Sequence, residues 1–225
     1  MPANYLVTGA NRGLGLEFVR LLRSRGERVF AACRAPREAA DLRSLTPDVL
    51  ALDVASQASI DSLAAALKGQ PVDVLVNNAG VIGNDAAMPE LSMAEFQRVF
   101  TTNTFGPTLL AKALAPNVRA GSRKLIVNIS SSLGSIAQNM HGFSWSYKAS
   151  KAALNMLTTG LSAALAPDGV TVVTVCPGWN KTDMGGPEAP LDPAESIRSL
   201  VGVMDRLTIK DSGTFLSHEG KPIPW

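Results

Sequence analysis

Residues Tyr5–Gly15, "YLVTGANRGLG", decide the fold. An apolar run enters a Thr-Gly turn, and further glycines at Gly13 and Gly15 open the amphipathic run "LGLEFVRLLRSRG". That order reads as a strand, a tight glycine turn and a helix. Glycine lets the main chain approach a ligand closely, and a helix N-terminus offers unpaired N–H groups to an anion. A tight strand–helix turn needs glycine for its own sake too, so position carries the argument.

Outward from this stretch, short β-type runs alternate with helical ones. "RVFAACR", "VLALDV", "VDVLVNNAG", "KLIVNISSS", "GVTVVTVCPG" and "GTFLSHEG" read as strands. "DLRSL", "SIDSLAAALKG", the long "MAEFQRVFTTNTFGPTLLAKALAP" and the segment after Tyr147 read as helices. Apolar strands bounded by Gly, Asn and Ser, with helices between, predict a parallel sheet covered on both faces. Right-handed crossovers then give an α/β, doubly wound fold of about seven strands. Residues 1–225 read as one domain, with no linker, repeat or low-complexity segment.

Hydrophobic residues make up 46% and charged residues 18%, a globular balance. The net charge of +2 gives no reason to expect nucleic acid or an anionic membrane surface. No apolar run approaches the roughly 20 residues that span a bilayer, and no leader pattern opens the chain. The expectation is a soluble cytoplasmic protein. Cys33 and Cys176 lie in separate apolar runs and read as buried thiols rather than a disulfide. His141 has no ligand-type neighbour at useful spacing, so no metal is expected.

In a parallel sheet, ligands collect at the carboxyl ends of the strands. Gly9, Asn11, Arg12, Gly13, Leu14 and Gly15 form the candidate pyrophosphate turn. About 20 residues further on, where NAD sites place an acid, the chain has Cys33 and Arg34 and no carboxylate before Glu38. Arg34, joined by Arg12, suits a 2′-phosphate, so NADP(H) is expected over NAD(H); solvated surface arginines are the plainer alternative. Asp53 and Val54 suit an adenine, and Asn78, Ala79 and Gly80 a ribose or the glycine turn itself. Asx-type strand capping is the plainer alternative, and the two are compatible. In "SWSYKASKAAL", Tyr147 and Lys151 stand at i and i+4 and share a helix face, while Lys148 looks elsewhere.

In this order, "TGANRGLG", "LDV", "NNAG", Asn103, "NISSSLG", "YKASK" and "PGWNKTDM" resemble the short-chain dehydrogenase/reductase family over nearly the whole chain, with its Rossmann-type fold. "PGWNKTDMGG" and "GTFLSHEGKPIPW" further resemble its carbonyl-reductase branch, which includes C-factor and sniffer-type proteins. The resemblance implies Tyr147 as general acid/base and Lys151 as the cation that makes the phenol more acidic and holds the nicotinamide ribose. It implies Ser131, three before Gly134, as the hydroxyl on the substrate oxygen, with Ser130 its rival. Asn103 would support Lys151 through water; a helix-kinking residue bonded to main chain is the alternative. Pro177, Gly178, the main chain of Asn180, and Thr182 would meet the carboxamide and pyrophosphate. Asn180 departs from the aliphatic residue usual there.

Met140, Phe143, Trp145 and Trp179 are candidates for an apolar wall around a small aldehyde or ketone, with the Gly/Pro-rich segment after Thr182 as a lid. Packing against the scaffold is the alternative. The leading function is an NADPH-dependent carbonyl reductase. A C-factor-like signalling protein with secondary activity is the second reading, and a cofactor-sensing binder the third. The resemblance also implies a homodimer or homotetramer through the tyrosine helix, where Ala149, Ala152 and Ala153 permit close approach; those alanines also suit packing on the sheet.

Overall fold

A computed structural model of the chain describes residues 2–85, 87–139 and 141–225. Its centre is a seven-stranded, all-parallel sheet. In chain order the strands are β1 (Asn4–Thr8), β2 (Arg28–Cys33), β3 (Val49–Ala51), β4 (Val74–Asn77), β5 (Leu125–Ile129), β6 (Thr171–Cys176) and β7 (Phe215–Ser217). In space they run β3-β2-β1-β4-β5-β6-β7, so the order reverses between β1 and β4.

Strand alternation sorts the core into two layers. Tyr5 and Val7 of β1 pack with α1 (Gly13–Ser24), α2 (Ala40–Leu45) and α7 (Pro193–Met204), through Phe18, Leu22, Leu42, Ile197 and Leu200. Leu6, between them, faces the other layer of α3 (Gln57–Ala66), α5 (Gly106–Ala120) and α6 (Trp145–Leu165), among Ile60, Leu63, Leu110, Leu114 and Leu165. Burying an aliphatic side chain of this size is worth about 1.5–3 kcal/mol, so both faces contribute on a comparable scale. The expected doubly wound α/β fold is present.

One expected helix is not continuous. "MAEFQRVFTTNTFGPTLLAKALAP" divides into α4 (Met93–Phe100), a π-helical stretch Thr101–Phe105, and α5. The cause lies in Pro107. It has no N–H, so the Asn103 carbonyl cannot receive the usual bond from four residues on. The wider turn absorbs the mismatch, with the Gly106 N–H reaching back five residues to the Thr101 carbonyl.

Candidate active site

With all strands parallel, the carboxyl ends of β1, β4, β5 and β6 share one edge, at the reversal of strand order. The glycine turn lies there. Gly9 has φ +63°, and a Cβ on it would stand 2.9 Å from the Ala79 Cα. A Cβ on Gly15 would strike the Gly9 carbonyl. Arg12, the N-cap of α1, makes no side-chain capping bond, and no acid occupies the first turn. The first amides of α1 thus keep their capacity for an anion, and this cradle fits a pyrophosphate. Asn78 steadies the turn, donating from Nδ2 to the Thr8 carbonyl at 2.9 Å. The Thr8 hydroxyl in turn accepts from the Asn78 and Ala79 amides, each at 3.0 Å. The Thr182 methyl approaches Gly13, and the Thr182 hydroxyl accepts from the Gly185 amide at 3.2 Å.

At the end of β2, a cavity of about 370 Å³ is lined by Asn11, Ala35, Glu38, Ala39, Ala40 and Asp41. Arg34 is exposed beside it and pairs with no carboxylate among the described residues. Arg12 behaves otherwise: its Nη1 lies 3.1 Å from Asp183 Oδ2, across to the segment after Thr182. Asp53 adopts the Asx turn, Oδ1 accepting from the Ala55 amide at 3.0 Å. Val54 is buried beside Gly106.

β5 ends at Ile129, and its last residues divide the serines. Ser130 is buried and donates to Asn155 Oδ1 at 2.8 Å. Ser131 caps the 3₁₀ turn Ser132–Gly134, its hydroxyl accepting from the Leu133 amide at 3.2 Å. The turn lies tight on α6, since a Cβ on Gly134 would come within 2.8 Å of Lys151 Cβ. This contact accounts for a glycine three residues after Ser131.

Tyr147 and Lys151 meet as the i, i+4 spacing predicts, with Lys151 Nζ 5.6 Å from the centre of the Tyr147 ring. Lys148 turns away, donating to the His141 carbonyl at 2.8 Å and lying 4.4 Å above the Phe143 ring. Lys151 is 4% exposed and donates to the Ile129 carbonyl at 2.8 Å. Burial pushes its ammonium down to about 8. Burial also pushes the Tyr147 phenol up to about 12, with the neighbouring Ser131 hydroxyl acting against it. Desolvation is the larger influence on this half-buried phenol, and the neighbouring Ser131 opposes it. Tyr147 is therefore a protonated phenol at neutral pH.

Asn103 is buried within the π-helical stretch. Its Oδ1 accepts from the Val81 amide at 2.8 Å, and its Nδ2 donates to the Val81 carbonyl at 2.8 Å and to Ser150 Oγ at 3.1 Å. These bonds bring Asn103 beside Gly80, which also faces Lys151 Nζ. After β6, Asn180 Nδ2 donates to the carbonyls of Pro177 (2.8 Å) and Gly178 (3.0 Å). Its Oδ1 is buried without a partner among the described residues.

Of the expected apolar wall, Met140 lies outside the described residues. Phe143, Trp145 and Trp179 are 42%, 37% and 55% exposed, so each keeps part of its ring at the surface. Phe143 stacks on His141, and the Trp179 indole donates to the Gly185 carbonyl at 2.7 Å. No aromatic pair joins Trp179 to the other two among the described residues. The expected lid is a folded loop, tied back by Lys181 N–H to the Leu191 carbonyl (3.0 Å) and Leu191 N–H to the Trp179 carbonyl (3.2 Å).

Several residues escaped the sequence reading. Thr8 stood in the quoted motif without a role. Cys176 is more than a buried thiol: its sulfur accepts from the Ser132 amide (3.1 Å) and the Gly178 amide (3.4 Å), joining the two strand-end loops. The sole sequence signal was its place directly before Pro177-Gly178. Trp225 stacks on Phe215 with centroids 5.6 Å apart, and its carbonyl accepts from the Ala137 amide on the serine loop.

This edge, with a glycine cradle at one end and a serine, tyrosine and lysine at the other, belongs to a known class. The profile of the family described as short chain dehydrogenase matches residues 3–190, and the chain is a member of that family. It is similar to the C-signal protein of Myxococcus xanthus, 41% identical over 155 residues that cover 69% of this chain and 93% of that one. Among solved structures it is similar to the carbonyl reductase Sniffer of D. melanogaster, with a TM-score of 0.94, 35% identity and all of both chains covered. It is also similar to the NADPH-bound carbonyl reductase from chicken fatty liver, with a TM-score of 0.92, 37% identity and full coverage of both. No helix among the described residues is long and apolar enough to cross a membrane.

Proposed function

We propose that this chain is an NADPH-dependent reductase of small apolar aldehydes or ketones. The observation that carries the reading is the Ser131–Gly134 turn lying tight on Lys151, whose Nζ stands 5.6 Å from the centre of the Tyr147 ring one helical turn away. NADPH, when bound, supplies the hydride. Ser131 holds the substrate oxygen, and Tyr147 donates its proton to that oxygen. A phenol held up to about 12 is fully protonated at neutral pH, as a proton donor must be. Lys151, with hydrogens beyond the one given to Ile129, holds the nicotinamide ribose. The glycine turn holds the pyrophosphate, with Thr182 at its edge. The buried Oδ1 of Asn180 offers an acceptor suited to the carboxamide NH₂, and leaving such an atom unpaired costs about 1–3 kcal/mol. Arg34 binds the 2′-phosphate, with Arg12 joining if it releases Asp183. Exposed Phe143, Trp145 and Trp179 favour an apolar substrate. A homodimer or homotetramer through α5 and α6 belongs to the same reading.

Tyr147→Phe tests it. NADPH oxidation with a panel of aromatic aldehydes, quinones, steroids and acyl carriers should fall about 10²–10⁴-fold, while NADPH fluorescence titration shows unchanged binding. Equal turnover by the variant would end the proposal. The likeness to C-signal favours a second reading, a signalling protein whose activity is secondary. A cellular role that survives Tyr147→Phe would select it.

A further inference from the structure

The helix carrying Tyr147 and Lys151 begins without a cap of its own. Ser144, which precedes α6, adopts the left-handed conformation (φ 49°, ψ 51°) and makes no side-chain capping bond. A non-glycine residue rarely holds that conformation unless its surroundings enforce it. The amide of Ser146 points out of the first turn, where an α-helix has no internal acceptor. Its acceptor comes from 61 residues earlier in the chain: Asp85 Oδ2 takes the Ser146 amide at 2.6 Å, and Oδ1 takes the Ser146 hydroxyl at 3.0 Å. Asp85 is fully buried, so this carboxylate serves the interior.

The approach from β4 to Asp85 is fixed along its length. Val81 is held at both amide and carbonyl by Asn103. The Ile82 carbonyl accepts from Arg98 at 2.8 Å, and the Asn84 amide donates to Glu95 at 2.6 Å. A Cβ on Gly83 would strike both Ser146 Oγ and Asp85 Oδ1, so only glycine lets this strap lie against the helix start. The strap begins one residue beyond Gly80, beside Lys151, and ends at Asp85, whose carboxylate holds Ser146, the residue before Tyr147. It joins the two sides of the site.

We infer that Asp85 is a positioning residue for the reaction, capping α6 from the β4 side and thereby fixing where the Tyr147 phenol stands relative to Ser131. This rests on the reductase reading, and it adds a residue that the family's motifs do not include. A carboxylate at a helix N-terminus also opposes the positive end of the helix dipole. The hydrogen bonds, rather than the charge, set the direction of the first turn.

The test uses the full chain with NADPH and the best carbonyl from the panel, with amide hydrogen exchange as a readout independent of turnover. In Asp85→Ala, exchange at Ser146, Tyr147 and Lys148 should quicken by about tenfold or more while that of α1 stays unchanged. The kcat should fall by about 10-fold to 10²-fold, with the KM for NADPH within about twofold. Asp85→Asn keeps an acceptor for the Ser146 amide and should recover most of the kcat. Ser146→Ala loses only the hydroxyl bond; it should give a smaller effect in the same direction and carries the test if Asp85→Ala does not fold. Unchanged exchange at the start of α6, or quickened exchange with kcat unchanged, overturns the inference. So does Asp85→Asn behaving like Asp85→Ala. A wild-type protein inactive on every carbonyl would instead refute the reductase reading and the positioning role built on it, leaving the exchange data to report the cap alone.

Discussion

Lys151 gives a prediction whose sign changes with pH. Burial takes its ammonium from 10.5 to about 8, and at about 1.4 kcal/mol per pH unit this places roughly 3 kcal/mol of strain on the folded protein at pH 7. Lys151→Met removes the charge and keeps the apolar stem. It also removes the bond to the Ile129 carbonyl, worth about 1.5–3 kcal/mol for a charged donor. The variant should be about 1 kcal/mol more stable at pH 7, a rise in Tm of about 2–4 °C for a chain of this size. Between pH 8 and 10.5 the unfolded wild type holds a proton that the folded form has lost, so wild-type stability rises with pH against the variant. The advantage should vanish in this window and then favour the wild type. Urea unfolding of both proteins at pH 7, 8, 9, 10 and 11 measures it, and Tyr147 titrates in both and cancels in the difference. Parallel stability–pH curves would refute the idea that Lys151 is a buried charge under strain. The same variant should lose carbonyl reduction, so stability and activity move in opposite directions.

Two further outcomes test other parts of the chain. Arg34→Ala should raise the Kd of NADPH by about tenfold, through loss of a charge-assisted bond, and leave that of NADH unchanged; isothermal titration of both separates the effects. Asp73 is buried, and its carboxylate accepts from the amides of Asn4, Ser122 and Arg123 and from the Ser122 hydroxyl. These bonds hold its pKa below the ordinary 3.8 despite burial. Its stabilisation is therefore present above pH 3.8 and lost as pH falls through the lowered value. Asp73→Asn turns an NH₂ group toward a donor and should cost about 1–3 kcal/mol, read by urea unfolding at neutral pH, with less difference in acid.

What the sequence made legible was what spacing encodes. Alternation along β1 sends Tyr5 and Val7 to one layer and Leu6 to the other. The i, i+4 interval brought Lys151 to Tyr147 and sent Lys148 to His141. Glycines in the first turn marked a close approach that the Ala79 contact explains. Contacts set by loop paths were not legible. The Arg12–Asp183 pair spans 171 residues and the Asp85–Ser146 cap 61, and no periodicity relates such positions. The break at Thr101–Phe105 had a local sign in Pro107, but the missing N–H announces a disturbed helix without saying that it will widen rather than end. The upward push on the Tyr147 phenol was hidden because burial depends on everything packed around the ring.

Trp145, Trp179 and Trp225, the three tryptophans of the chain, stand on the start of α6, on the loop after β6 and against the serine loop. The molecule thus carries an indole on each of three surface segments and none in its apolar layers. Intrinsic fluorescence will report these surface segments, two of them flanking the site, rather than the apolar layers. Quenching, or energy transfer to a reduced nicotinamide, can follow ligand entry with no added label, and single Trp→Phe variants can show which wall responds first.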